Sequence, residues 1–329
     1  MSAAADKVLA LDIGATKLAA GVGYLDGTIS RQTTVPTQAQ DGAETVLRRA
    51  VTLARDCWEA ERIDGGELAV LGVSTMGLTR STHVDLAPNV PGWEALRIPE
   101  TIQQAFPEQR VVFGNDVKVA ARAEMRWGAL RDVANGIYLN LGSGIAAAVI
   151  ADGQLVEGAH GAAGEVGYTL VGGGELPDGP ARQQPAPFES YYGGTGAARR
   201  LRERGLPGSV AELVAVQDNG SDAEPFLDEL WDGIARLAAN LCCVLDPSVL
   251  ALGGGYLRGE TRLLSVLREV VERAVPYPPA VVRAVFGADA SLRGAAAAAF
   301  DVLGVVDVSV STTDRRQPFD NETSEEKGR

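Results

Sequence analysis

One apolar stretch that ends in polar residues is where this sequence could carry out catalysis. Residues 110–113 are typical of a buried strand, and Gly114 breaks it. Asn115 and Asp116 follow, ahead of an Ala-rich segment at 117–127 that predicts a helix. A carboxylate at such a junction lies near the positive end of the helix dipole and at the edge where open α/β sheets bind ligands. The same two residues could simply cap the helix, so both interpretations remain open.

Two predicted hairpins carry small residues and a hydroxyl at their turns. The first joins strands at 7–12 and 18–23, and the second joins strands at 136–141 and 145–151. The backbone N–H groups of such turns can hold an anion. Asp12, at the end of its strand, could hold Mg²⁺ directly or through water, because hard cations take oxygen ligands. The candidate phosphate-binding residues are Asp12, Gly14, Thr16, Lys17, Gly142, Ser143 and Gly144.

An ordinary hairpin remains the alternative for each turn. Neither turn matches the phosphate loop of the P-loop or dinucleotide folds, since no helix follows the glycines. Each hairpin is followed by an Asp-Gly turn and a third strand, which predicts an internal duplication from the pattern alone. Helices are predicted at 41–62, 98–106, 117–127, 195–204, 210–216, 222–245, 263–274 and 291–303, with loops at 77–92 and 177–187.

A glycine triplet at 253–255 lies between a predicted strand at 249–252 and the helix at 263–274. Successive glycines let a flat ligand approach the backbone closely, so a nucleotide base or ribose could fit at Gly253 and Gly254. A flexible turn is the alternative interpretation.

Two further carboxylates could bind a polyhydroxyl ligand. Glu165 lies among small residues, and Glu189 follows a Pro-rich stretch. Carboxylates in clefts suit the hydroxyl donors of sugars, although a single Glu is more often a solvated charge. His160 in its glycine-rich loop is more often structural than catalytic. Trp93 suits either packing or a sugar platform.

Composition narrows the classes of function. The chain has 329 residues, 46% of them hydrophobic, and room for two lobes. A net charge of −13 argues against a nucleic-acid or anionic-membrane surface. Neither a signal segment nor a membrane-spanning run is visible, so we expect a soluble cytoplasmic protein. Three cysteines and two histidines form no recognisable zinc motif. Residues 305–329 predict a disordered tail.

Taken together, these segments resemble the ROK family (repressor, open reading frame, kinase) of sugar kinases. The resemblance covers roughly residues 7–304, and the order and spacing of its motifs are specific. The segments at 11–17 and 142–145 are similar to its two phosphate motifs, with Ala15 where Gly is usual. The segment at 114–116 is similar to its catalytic motif. The segments at 88–93, 158–167 and 245–255 are similar to its sugar-side loop, its signature and its nucleotide segment.

The resemblance implies a two-lobed α/β fold of the actin-like ATPase (ribonuclease H-like) type, each lobe a mixed sheet flanked by helices. It places residues 1–115 with 290–304 in a small lobe and 116–289 in a large one. It implies ATP and Mg²⁺ as cofactors, a small-molecule sugar as substrate, and a homodimer or homotetramer. Asp116 is then the general base. The sugar-binding residues implied are Asn89, Asn115, Glu165, Tyr168 and Glu189.

Two departures from the family pattern agree with each other. The signature usually ends in a His that contacts both the sugar and a structural zinc, and here Tyr168 stands in its place. The family's Cys-rich zinc loop corresponds to residues 179–189, which contain no cysteine. We therefore expect a variant without zinc, whose sugar specificity the sequence does not define.

Two other functions compete with an ATP-dependent sugar kinase. Repressors of the family carry an N-terminal helix-turn-helix, whereas six residues precede the first strand here and the chain is acidic. A non-catalytic sugar- or nucleotide-binding protein is the stronger alternative, because the zinc residues are missing. Retention of Asp116, Glu165 and Glu189 argues against it.

Overall fold

The computed structural model describes residues 6–63, 67–87, 89–171, 179–181, 184–206, 208–216, 223–258 and 262–304. The tail predicted at 305–329 lies outside these residues. Within them, no helix combines the length and the apolar character needed to cross a bilayer.

Strands and helices alternate along most of the described chain. The strands are β1 (Lys7–Ile13), β2 (Lys17–Tyr24), β3 (Ile29–Pro36), β4 (Val70–Thr75), β5 (Leu78–Thr79), β6 (Val84–Asp85), β7 (Arg110–Asn115), β8 (Gly136–Leu141), β9 (Ile145–Ala151), β10 (Gln154–Leu155), β11 (Val249–Gly253) and β12 (Ala280–Arg283). The α-helices are α1 (Ala43–Ile63), α2 (Ile98–Ala105), α3 (Asp116–Trp127), α4 (Pro187–Tyr192), α5 (Gly194–Glu203), α6 (Val210–Val216), α7 (Ala223–Leu245), α8 (Arg262–Ala274) and α9 (Ala290–Val302).

Two five-stranded sheets within the described residues share one topology. The first has the order β3-β2-β1-β4-β7, and the second has the order β10-β9-β8-β11-β12. In each sheet, the three strands that come first in the chain pair antiparallel. Two later strands extend the sheet beyond the first of these three, and both pair parallel. The recurrence predicted from the two glycine-bearing hairpins is therefore confirmed as a repeated strand order.

Side chains of β1 alternate between two helix layers. Leu9, Leu11 and Ile13 share a core with α1, whereas Val8 and Ala10 pack against α9. Successive residues of a strand point to opposite faces, and both faces of this strand are covered. That is why β1 is a continuous apolar run rather than an alternating one.

The second sheet is covered in the same way. Ile137 and Leu139 of β8 face the core built by α7 and α8. Tyr138, between them, faces α3 together with Ala148 and Ala251. Each sheet therefore has one large core on its outer face and a smaller one on its inner face.

The inner helices α3 and α9 join the two sheets. α9 covers the first sheet and α3 covers the second. At their crossing, a Cβ atom added at Gly294 would lie 1.8 Å from the carbonyl oxygen of Val119, so the two backbones are in direct contact. This contact sets where α3, which begins at Asp116, stands relative to the first sheet.

Several predicted boundaries are wrong. The stretch at 77–92, predicted as loop, contains the β5–β6 hairpin, whose two-residue strands are too short to show an alternating pattern. The loop predicted at 177–187 ends at Pro187, where α4 begins, because proline suits the first helical position; α4 itself is absent from the predicted helices. Residues 177, 178, 182 and 183 lie outside the described residues. The helix predicted from residue 41 begins at Ala43.

The mixed-sheet α/β class is confirmed by these two sheets and their helices. The division into lobes, 1–115 with 290–304 and 116–289, stays a prediction.

Candidate active site

Strand register brings the first carboxylates together at one edge of the first sheet. In the parallel pair β1–β4, Asp12 lies beside Ser74, and in β4–β7 Ser74 lies beside Gly114. Asp116 follows two residues later, at the start of α3. Since parallel strands present their carboxyl ends at the same edge, Asp12 and Asp116 both lie at the mouth of this sheet.

The junction of β7 and α3 shows which of its two polar residues caps the helix. Asn115 is the N-cap, and its Oδ1 accepts from the backbone N–H groups of Val117 (3.0 Å) and Lys118 (3.2 Å). Its Nδ2 donates to the carbonyl of Gly77 at 3.1 Å. Asp116 Oδ1 accepts from Val117 N at 2.9 Å. The cap therefore falls on Asn115, and the half-buried carboxyl group of Asp116 keeps a second oxygen for a ligand.

The two carboxyl groups disfavour each other's charge. Burial raises the pKa of Asp116 to about 7, and the charges of Asp12 and Glu165 act in the same direction. Burial likewise raises the pKa of Asp12 to about 6, against the lowering effects of the Ser74 hydroxyl and, after it, of the Lys17 ammonium. A bound cation would relieve this repulsion.

Asp12 also has the features expected of a cation ligand. The residue is 5% exposed, and its Oδ1 has no hydrogen-bond partner among the described residues, nor has the neighbouring Ser74 Oγ. Leaving buried polar atoms unsatisfied is costly. A carboxylate and a hydroxyl oxygen are ligands that Mg²⁺ accepts, so the residues present fit the predicted metal.

The first predicted phosphate turn is held in shape by its own backbone and by Thr37. The N–H of Gly14 donates to the carbonyl of Lys17 at 3.0 Å. Thr37 Oγ1 donates to the carbonyl of Gly14 at 2.7 Å, and its N–H donates to the carbonyl of Thr16 at 3.0 Å. Thr16 itself is exposed at the tip. Lys17, predicted to bind the cofactor, donates its ammonium to the carbonyl of Ala288.

The second turn is held by the start of α5. Gly142 N donates to the carbonyl of Gly144 at 3.0 Å, closing the turn. Gly194 N donates to the carbonyl of Gly142 at 2.8 Å, and Thr195 N donates to that of Ser143 at 3.2 Å. Ser143 stands exposed at the tip. The sequence analysis missed this contact, although the glycines before α5 were a visible signal.

The glycine triplet lies beside the second turn. Gly253 pairs with Asn140 across β11 and β8, so the triplet leaves the sheet where β8 enters its turn. Gly254 has φ +96°, and a Cβ atom there would lie 2.3 Å from the carbonyl oxygen of Leu141. Only glycine fits this position without displacing the backbone of β8.

The predicted sugar-binding carboxylates are grouped beside the second sheet. Glu189, on α4, accepts a hydrogen bond at Oε2 from Ile145 N at 2.9 Å, just after the second turn. Burial raises the pKa of Glu189. Burial and then the charge of Glu189 raise the pKa of Glu165. The phenol of Tyr168 has a raised pKa for the same two reasons, burial and the nearby carboxylates.

The segment between β6 and α2 supplies one residue that the sequence analysis missed. Glu94 is close enough to raise the pKa of Tyr168, and its Oε1 accepts from Ala87 N at 2.7 Å. Asn89 is exposed in the same loop, and Pro88 lies outside the described residues. Trp93 is fully buried, so it serves packing rather than a sugar platform.

No group of three or more His, Cys, Asp or Glu side chains suited to a metal occurs in the part of the chain that the structure describes. Residues 172–178 and 182–183, in and beside the segment where the family carries its zinc loop, lie outside that part. The absence of zinc therefore stays a prediction.

Comparison with known proteins gives a consistent result. The model of the ROK family matches residues 8–302. A glucokinase of Thermotoga maritima is 28% identical over 292 residues, which cover 82% of this chain and 89% of the relative. The crystal structure of a ROK hexokinase from Thermus thermophilus has a TM-score of 0.74 and 29% identity, covering 91% of this chain and 99% of that one.

A second solved structure was determined with ligands. A ROK family glucokinase from Streptomyces griseus in complex with glucose and AMPPNP has a TM-score of 0.71 and 26% identity, covering 90% of this chain and 99% of that one. The two-lobed actin-like fold that the sequence resemblance implied is thereby confirmed. By the extent of the family match and the shared fold, this chain belongs to the ROK family.

Proposed function

We propose that the protein is an ATP-dependent sugar kinase that transfers the terminal phosphoryl group of ATP to a sugar hydroxyl. One observation carries this proposal. A series of neighbouring carboxylates runs from Asp12, beside the first turn, through Asp116 and Glu165 to Glu189, which is bonded just after the second turn. The neighbouring carboxylates therefore extend from one phosphate-type turn to the other. The glucokinase and hexokinase activities of the similar proteins support the same reaction.

Asp116 is the proposed general base. It accepts the proton of the attacking hydroxyl, and efficient bases have a pKa near the working pH. Burial, which raises the pKa of Asp116 to about 7, provides that match. Its place at the start of α3 keeps it within a rigid element rather than a loop.

The two turns and Asp12 are the proposed phosphate and metal site. Thr16, Ser143 and the backbone N–H groups beside them contact the phosphates, while Asp12 binds Mg²⁺ directly or through water. Mg²⁺, when bound, neutralises charge on the transferred group. The glycines at 253 and 254 leave space for the nucleoside.

The other hydroxyls of the sugar are held by polar side chains around Asp116. Glu165 and Glu189 accept from hydroxyls, and Tyr168 contributes one further hydrogen bond. The remaining amide hydrogen of Asn115 and the exposed Asn89 complete the set. Closure of the lobes would exclude water, which competes as an acceptor of the phosphoryl group.

A screen of hexoses, acetylated amino sugars and polyols for ADP release tests the proposal and identifies the substrate. With that substrate, Asp116→Asn should lower kcat by about 100- to 10,000-fold, as expected for loss of a general base. Asp56→Asn, an exposed change on α1, is the matched control. Full turnover by Asp116→Asn would refute the base assignment. Calorimetric sugar binding without any ADP release by the wild type would favour a non-catalytic binding protein.

A further inference from the structure

Lys118 is a nearly buried cation in the first turn of α3, two residues after Asp116. Its side chain is 6% exposed. The ammonium meets three acceptors: the Glu157 carboxylate at 2.8 Å, the Glu157 carbonyl at 3.3 Å and the Gly161 carbonyl at 2.7 Å. An ammonium has three N–H donors, so this loop satisfies all of them.

The loop that Lys118 holds leads directly to Glu165. Three backbone hydrogen bonds lie between Glu157 and Glu165. They join Gly161 N to Gly158 O at 3.2 Å, Ala163 N to Glu157 O at 3.2 Å, and Glu165 N to Ala162 O at 3.3 Å. These bonds connect the residues that Lys118 contacts, Glu157 and Gly161, with the backbone of Glu165.

The far end of the loop rests against the second sheet. A Cβ atom at Gly164 would lie 1.9 Å from the carbonyl oxygen of Ala147, so backbone meets backbone there. The loop is thus supported by β9 beneath Glu165 and by three basic side chains. Lys118 bonds to it beside Asp116, Arg80 donates to the carbonyl of His160 at 2.5 Å, and Arg122 lies 3.7 Å from the carboxylate of Glu157. Among the described residues, Lys118 and Arg122 link the loop to the helix that carries the proposed base, and Lys118 is the more buried of the two.

The energetics favour a positional role over simple stabilisation. Burying an ammonium is costly, and an ion pair in its place often stabilises a fold no better than an apolar residue would. The partner carboxylate is also 56% exposed, which weakens the pair further. The ammonium donates three directed hydrogen bonds to one loop, which an apolar side chain could not do.

We infer that Lys118 is a positioning residue, which fixes the sugar-binding Glu165 at a set distance from the base Asp116. This inference rests on the proposed sugar-kinase function. The charge of Lys118 acts in the same place, because it opposes the rise in the pKa of Glu165 that burial and the charge of Glu189 cause.

The first test compares Lys118→Met with Lys7→Met. Lys7 also forms a Lys–Glu pair, with Glu61, but at the start of β1. We expect Lys118→Met to raise KM for the sugar about tenfold, the size of one or two charged hydrogen bonds. KM for ATP should stay within about twofold. An unchanged KM for the sugar, or an equal rise in both KM values, would overturn the inference.

The second test does not depend on turnover. Amide hydrogen exchange across residues 157–165 should be faster in Lys118→Met than in the wild type, and unchanged in Lys7→Met. Equal exchange in all three proteins would overturn the inference. If Lys118→Met fails to fold, Glu157→Gln, which removes only the exposed carboxylate, should still speed exchange there.

The two proposals fail in different ways. A wild-type protein that phosphorylates no sugar would refute the proposed function, while exchange at 157–165 would still show whether Lys118 fixes the loop. Kinase activity with exchange insensitive to Lys118 would leave the function intact and refute the positional role.

Discussion

The raised pKa of Asp116 comes from burial and from the charge of a neighbouring carboxylate. An isolated Asp is a weak base with an ordinary pKa of 3.8, and here burial and the charge of Asp12 raise that value to about 7. Asn115 takes over the capping bonds of α3. The carboxyl group of Asp116 still accepts a backbone hydrogen bond from Val117, which lowers its pKa less than burial and the charge of Asp12 raise it.

The raised pKa of Asp116 predicts that kcat/KM for the sugar falls on the acidic side of its pH profile. Asp116 must be ionised to accept a proton, so kcat/KM for the sugar should fall as pH drops through the pKa of Asp116, about 7 in the ligand-free protein. Steady-state kinetics at low sugar concentration measures this limb. Bound Mg²⁺ would move it to lower pH by adding positive charge near Asp12. Activity that stays flat down to the ordinary pKa of Asp would show that Asp116 is not the base.

Asp116→Asn should also change stability, in a pH-dependent way. The folded carboxyl group has a pKa of about 7 against an ordinary 3.8, so the folded state binds protons more tightly and loses stability as pH rises through that window. Asn removes the burial cost of the charge while Oδ1 still accepts from Val117. Without ligands, Tm of the variant should exceed that of the wild type by about 2–5 °C near pH 8.

The matching control for that experiment is the same pair of proteins near pH 4. There the carboxyl group is neutral in the folded protein and only about half ionised in the unfolded chain, so most of the charge effect is lost and the two Tm values should lie close together. A variant that is less stable at both pH values would mean that the charge of Asp116 stabilises α3 more than burial opposes it.

At this scale the sequence predicted residues whose role follows from type and local motif. Asp12, Asp116 and Glu165 are candidates because each ends or follows a strand or interrupts a run of small residues, and their roles stay predictions. Thr37 and Lys118 were missed because their partners are 23 and 39–43 residues away. Nothing in the local sequence of either residue indicates those contacts.

Among the elements, the two glycine-bearing hairpins are similar in outline but are held differently. The first turn is tied by a threonine that follows β3, and the second by the first N–H groups of α5. In both, external donors occupy turn carbonyls and leave the tip hydroxyls of Thr16 and Ser143 exposed. Each support therefore orders a turn without covering its exposed tip.

Thr37→Val should impair ATP binding specifically. The change removes the Oγ1 bond to the carbonyl of Gly14 and keeps the backbone bond to Thr16. Loosening the first turn should raise KM for ATP about three- to tenfold, the size of one hydrogen bond to a buried group. Thr34→Val, at an exposed position of β3, is the control. A rise in KM for the sugar but not for ATP would contradict the assignment of this turn.

Long periodic elements were predicted well, and short ones were not. The patterns at 117–127 and 263–274 match α3 and α8 to within one residue. The strands β5 and β6 have two residues each, and α4 has six. Their formation depends on tertiary support rather than on a repeating apolar pattern.

For the whole molecule, the decisive feature is how two sheets of one topology are joined. α9 lies on the first sheet, α3 lies on the second, and the pair meets backbone to backbone. Two smaller contacts reinforce the junction. Lys17 donates to the carbonyl of Ala288, and Arg80 beside β5 donates to the carbonyl of His160 at 2.5 Å. The sequence predicted both sheets, but their relative placement depends on contacts between distant helices.

Gly294→Ala tests whether that junction sets the catalytic geometry. Within a helix, Ala is favoured over Gly by about 1 kcal/mol, so propensity alone predicts a more stable protein. The new Cβ atom, however, would lie 1.8 Å from the carbonyl oxygen of Val119, and overpacking of a tight core costs about 1–3 kcal/mol or more. We therefore expect a net loss, seen as a Tm lower by several degrees.

The same substitution should lower kcat more than its effect on stability suggests. Separating α9 from α3 moves Asp116 away from Asp12, and a misplacement of about 1 Å can cost about 100-fold in rate. Gly287→Ala, at the nearby segment between β12 and α9, has no atom within 4 Å of its new Cβ and should leave Tm and kcat unchanged. If Gly294→Ala were as stable and active as Gly287→Ala, the α3–α9 contact could not be what fixes the position of Asp116 relative to Asp12.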